Sequence, residues 1–98
     1  MILQIFNILR KERNYQDKKW GGASKDSKKS IGDWLIDIEN QLIDAKCIYY
    51  KQDNKLTAEH IIKIAALAYA CLEYNLPVED YKNWRGDDTE YIEEKYGK

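Results

Sequence analysis

A chain of 98 residues allows one domain with a modest core. Hydrophobic residues make up 44% and charged residues 34%, with a formal net charge of -1. That balance argues against a general DNA- or RNA-coating protein, which is usually clearly basic. One proline and five glycines supply too little turn punctuation for an all-β domain and suit helices.

Ile2, Phe6 and Leu9, flanked by Ile5 and Ile8, recur at helical spacing and predict a first helix from about Ile2 to Lys19. Its apolar stripe fades after Leu9. The apolar stretch is too short to cross a membrane, and it lacks the basic start and small-residue cleavage site of a signal peptide. Gly21 and Gly22 stop the helix, because glycine supplies the left-handed conformation a C-terminus needs. Lys18-Lys19-Trp20-Gly21-Gly22 reads in two ways. It is a helix stop with Trp20 plugging the bundle end, or a corner where Trp20 stacks on a base while lysines and backbone N–H groups meet phosphate.

Ala23 to Lys29 reads as a loop, with Lys25, Lys28 and Lys29 against Asp26 alone. It is a solvated loop or an anionic clamp. Ser30 followed by Asp33 resembles a capping box, so a second helix opens there and runs to about Lys51. Ile31, Trp34, Leu35, Ile38, Leu42, Ala45 and Tyr49 line its expected inner face. Asp53-Asn54-Lys55 reads as a turn and Thr57 as the N-cap of a third helix, with Glu59 in its first turn. In that helix Ile61, Ile64, Ala65, Ala68 and Leu72 form one stripe and Ile62, Ala66 and Tyr69 another, which places it at the bundle centre. Asn75-Leu76-Pro77 ends it. A short helix from Pro77 to about Trp84, a turn at Gly86-Asp87-Asp88 and a last helix from Thr89 to Tyr96 complete the reading. The expected fold is all-α, a small helical bundle in one domain spanning 1–98.

Cys47 and Cys71 read as buried free thiols, which fits a reducing, cytoplasmic setting. Tyr49, Tyr50 and Tyr69 read as core or interface residues. His60 is the only histidine, so no Ser/His/Asp or Cys/His nucleophile is readable, and there is no P-loop, dinucleotide fingerprint or zinc spacing.

Three stretches carry a resemblance. Glu12-Arg13, Gln16 and Lys19-Trp20-Gly21 come first. Asp33-Trp34-Leu35-Ile36 follows. The third is His60-Ile61-Ile62-Lys63-Ile64-Ala65-Ala66-Leu67-Ala68 with Cys71-Leu72-Glu73. In order and spacing they resemble MazG-like proteins of the all-α nucleoside-triphosphate pyrophosphohydrolase superfamily, particularly the small phage-encoded ones. The resemblance covers about residues 11–73 and leaves 77–98 as an extension. It implies a bundle completed by oligomerisation, and a Mg²⁺ site built from glutamates on the second helix and a Glu-x-x-Asp on the third. Mg²⁺ takes oxygen ligands in octahedral geometry, and carboxylates one helical turn apart point the same way.

Under that alignment the second-helix cluster falls on Asn40, Gln41 and Asp44, and the third-helix pair on His60 and Lys63. One carboxylate remains, and a lysine beside a divalent metal is unfavourable. The first expectation is therefore a catalytically inactive, MazG-like protein with no cofactor. It binds a nucleotide or other phosphorylated ligand through Arg13, Gln16, Lys19, Trp20, Gly21, Gly22, Lys25, Asn40, Gln41, Asp44, His60 and Lys63. A phage could use such a protein to sequester a host immune nucleotide signal. The second is an active Mg²⁺-dependent pyrophosphohydrolase using Glu39, Asp44, Glu59 and Glu73 in a shifted register. The third is an interaction module binding a host protein through Trp20 and Trp84.

Overall fold

Three long helices and two short ones make up the described part of the chain. The computed structural model describes residues 1–86. Helix α1 spans Ile2–Trp20, α2 Ala23–Asp26, α3 Ile31–Tyr50 and α4 Asn54–Asn75, and a 3₁₀ turn covers Val78–Tyr81. No strand occurs among the described residues, so the fold is a small all-α bundle. No described helix is long and apolar enough to cross a membrane.

The helix ends follow from local chemistry. Gly21 closes α1 at φ 93°, and its N–H donates to the Asp17 carbonyl at 3.2 Å. A residue with a Cβ would be strained there and would also meet the Lys25 side chain. The capping box is present: the Asp33 N–H donates to Ser30 Oγ at 3.1 Å, and the Ser30 N–H donates to the Asp33 carboxylate at 2.9 Å. Ser30→Ala is expected to lower stability by about 1 kcal/mol, read as a lower urea midpoint at unchanged slope. The Ser30 backbone N–H, then its hydroxyl, holds the Asp33 carboxyl below the usual carboxylate range. This contribution is complete above the unfolded pKa and is lost as pH falls through the depressed folded value. Asp33→Asn is therefore expected to flatten the acid limb of the stability curve below about pH 4, measured by urea titrations across that range.

Two expected boundaries move. Residues 23–29 are not wholly loop, because the Gly22 carbonyl accepts from the N–H groups of Lys25 and Asp26 and winds one turn, α2. The N-cap of α4 is Asp53 rather than Thr57. Its carboxylate accepts the Leu56 N–H at 2.9 Å, and the Thr57 hydroxyl donates to the Asp53 carbonyl at 2.7 Å. Aspartate caps as well as threonine, and starting one turn earlier adds helical hydrogen bonds. Among the described residues after Pro77 the chain makes the 3₁₀ turn and loose turns, with Tyr81 and Trp84 rings 5.6 Å apart. The expected helix at Thr89–Tyr96, and residues 87 and 88 of the expected turn, lie outside the described residues.

Helix α4 packs against both α3 and α1, the central position its composition predicts. Its buried line shares Ala66 with one expected stripe and otherwise differs from both. Ala66, Leu67 and Ala70 are buried, whereas Ile61, Tyr69 and Leu72 are more than half exposed. With two long neighbours, only the arc of α4 facing them is covered, and alanines on that arc let the backbones approach. Trp34 from α3, Leu67 and Ala70 form the core cluster, with Ile38, Cys71 and Tyr74 packed around it. On α1 the stripe expected to be core is largely uncovered: Ile5, Phe6 and Ile8 are exposed. Leu35, Leu42, Tyr49, Tyr50 and Cys47 are also exposed in the single chain rather than core.

Candidate functional site: a cleft between the α1–α2 corner and α3

The α1–α2 corner faces α3 across a cleft of about 540 Å³. Trp20, Lys25, Asp26 and Lys29 form one wall, Asp37, Asn40 and Gln41 the other, and Leu67 of α4 the floor. Local structure sets each wall. The left-handed turn at Gly21 and Gly22 reverses the chain, so that Trp20 and Lys25 come to one rim. Asp37, Asn40 and Gln41 are three and four residues apart and share one face of α3.

Trp20 is 44% exposed, so it does not plug the bundle end. The Lys19 ammonium lies 5.7 Å from the centroids of both the Tyr15 and Trp20 rings. Lys29 pairs with Asp37 and sits over the Trp34 ring, 3.9 Å from its centroid. Gln41 Oε1 lies 3.0 Å from His60 Nδ1, which ties the α3 wall to α4. Lys25 forms no ion pair among the described residues.

Beneath the cleft, Arg13 is 8% exposed and gathers three carboxylates on one guanidinium nitrogen. Its Nη2 is 2.9 Å from Asp17, 3.4 Å from Glu73 and 3.6 Å from Asp26. Burial opposes its charge, but Asp17 and Glu73 outweigh that and raise its pKa. Burial pushes the Asp26 carboxyl up from the usual carboxylate range, and Arg13 pulls it only part of the way back. This junction joins α1, α2 and α4 and fixes the α2 corner.

The structure divides the residues expected at one site. Trp20, Lys25, Asn40 and Gln41 line the cleft, and Gly21 and Gly22 shape its rim. Lys19 reaches Trp20, His60 reaches Gln41, and Arg13 supports Asp26 from below. Gln16 and Lys63 belong to a different face. Gln16 is 2% exposed and donates from Nε2 to Glu12 at 3.1 Å and to the Lys63 carbonyl at 3.4 Å. Lys63 lines a separate groove with Glu12, Tyr15 and Glu59. It is half-buried and forms no ion pair with Asp44 or Glu39, both exposed on α3. Asp44 is exposed on α3 and does not line the cleft.

The shifted carboxylate set is dispersed. Glu39 and Asp44 are exposed, Glu59 lies 3.4 Å from Lys55, and Glu73 is held by Arg13. Among the described residues, no three His, Cys, Asp or Glu side chains are placed to hold a metal ion. Two polar cleft residues, Asp26 and Asp37, escape the sequence reading, and Lys29 enters it only as one of the loop lysines of an anionic clamp. The signal for Asp37 is its helical spacing to Asn40 and Gln41. Asp26 carries none, since its role depends on where α2 docks. Comparison with protein-family models, with curated proteins and with solved structures finds no match to this chain.

Proposed function

We propose that this chain binds a nucleotide, or a similar phosphorylated small molecule, in the cleft without hydrolysing it. One observation carries the reading. The cleft brings an exposed indole, an uncommitted lysine and two carboxamides to one small volume. An indole stacks on any base, a lysine neutralises phosphate, and carboxamides hydrogen-bond base edges. The carboxylates that line the cleft each face a cation, Asp37 facing Lys29 and Asp26 facing Arg13, which favours holding a ligand over assembling a metal-activated nucleophile. In this reading the chain is a MazG-like scaffold turned to sequestration, because tight binding without turnover removes a signal. The exposed apolar residues of α1 and α3 are then covered by a second copy of the chain.

Isothermal titration against a nucleotide panel in EDTA tests the proposal. Binding of at least one phosphorylated ligand is expected, and no binding to any would overturn it. Trp20→Ala is expected to weaken that binding by about 1–3 kcal/mol, the worth of one base–aromatic stack. Robust pyrophosphate release with Mg²⁺, abolished by Asp44→Ala, would instead make the chain a working pyrophosphohydrolase. Light scattering on the purified chain gives the oligomeric state.

A further inference from the structure

The charge of the cleft selects among phosphorylated ligands. Of its two lining lysines, Lys29 is committed: its ammonium pairs with Asp37 and is held over the buried Trp34 ring. The other lining carboxylate, Asp26, faces Arg13. Lys25 is the one lining cation with no carboxylate partner among the described residues. The two lining lysines and two lining carboxylates cancel, so the walls carry no net charge.

A single phosphate brings a charge of about -1.5 to -2 at neutral pH, and each added phosphate brings more. One uncommitted ammonium suits the first case. A polyphosphate chain would lie beside Asp37 and Asp26, where like charges repel at short range. The same carboxylates are good acceptors for neutral hydroxyl donors. Asp37 sits one turn before Asn40 and Gln41 on one face of α3, a row able to take ribose hydroxyls and a base edge.

We infer that the cleft selects a nucleoside bearing a single phosphate over its polyphosphates, with Asp37 as the residue that sets this selectivity. The inference rests on the nucleotide-binding reading above. It departs from the nucleoside triphosphates that a MazG-like resemblance suggests.

Titration calorimetry in EDTA, using the four ribonucleoside monophosphates and the matching triphosphates, tests it. At least one monophosphate is expected to bind about tenfold or more tightly than its triphosphate. Asp37→Asn frees Lys29 and makes the walls positive, so triphosphate binding is expected to strengthen about tenfold and the preference to shrink or reverse. Asp37 is exposed enough for this variant to fold, and a thermal melt beside the parent chain confirms it. Lys25→Met leaves the walls negative and is expected to weaken both ligands, the triphosphate at least as much as the monophosphate. A triphosphate that binds the parent chain as tightly as its monophosphate overturns the selectivity and leaves nucleotide binding standing. So does an Asp37→Asn variant with an unchanged ratio. Absence of binding by every nucleotide overturns both readings together.

Discussion

Replacing Trp34 with alanine is expected to destabilise the chain by about 3–5 kcal/mol, the range for truncating a large core aromatic. Trp34 is 2% exposed and is the largest side chain of a core that otherwise rests on one leucine and three alanines among fully buried apolar residues. Alanines cannot move in to fill an indole-sized void, so the cavity term is near its maximum. A small domain holds roughly 5–15 kcal/mol in total, so a large part of the population is expected to unfold at modest urea. Trp34→Phe should cost less than half as much. It keeps an aromatic body for Lys29, and it removes a buried indole N–H that finds no acceptor among the described residues. Urea denaturation followed by circular dichroism checks both variants. A loss below about 1 kcal/mol for Trp34→Ala would show that the core is not centred there.

Arg13→Met is expected to be the most damaging substitution outside the apolar core. Breaking a buried ion pair on one side costs about 3–5 kcal/mol, because the remaining charge stays buried without a partner. Asp17 and Glu73 reach solvent, with side chains 42% and 44% exposed, whereas the Asp26 side chain is 10% exposed. The penalty therefore falls mainly on Asp26, and about 3 kcal/mol is expected at neutral pH. The pH dependence identifies the cause. The folded-state pKa of Asp26 is already raised by burial, and losing Arg13 raises it further. A carboxyl whose folded pKa lies above its unfolded value gains stability as pH falls through the folded pKa. The deficit of Arg13→Met should thus shrink on acidification, whereas a pure packing loss would not change. Urea titrations at neutral and mildly acid pH separate the two. Because Asp26 also lines the cleft, the variant should weaken ligand binding as the α2 corner loosens.

The long helices were legible because their signals are local. Ser30 and Asp33 lie three residues apart and form the predicted capping box, and Gly21 stops α1 where the paired glycines predict. The N-cap of α4 is ambiguous in the sequence because Asp53 and Thr57 are both good caps one turn apart. Only the continuous winding from Asn54 chooses between them. The buried line of α4 was illegible for another reason: a helix rich in alanine and isoleucine is apolar on most sides, so its pattern cannot name the neighbours. Leu67 becomes core because α3 brings Trp34 to it.

The candidate site divides the same way. Trp20 and Lys25, expected from residue chemistry, and Asn40 and Gln41, expected from the resemblance, line one cleft. Gln16 and Lys63, which the resemblance also implies, do not line it: Gln16 is buried against the Lys63 carbonyl, and Lys63 lines a separate groove. By itself, the sequence determined the helical class, the stop of α1, the capping box of α3 and the residue types available for binding, because capping and periodicity act within a few residues. Tertiary structure alone decided which lysine is free. Asp37 claims Lys29 and Arg13 claims Asp26 only after α2 docks between α1 and α3, and no spacing along the chain encodes that geometry.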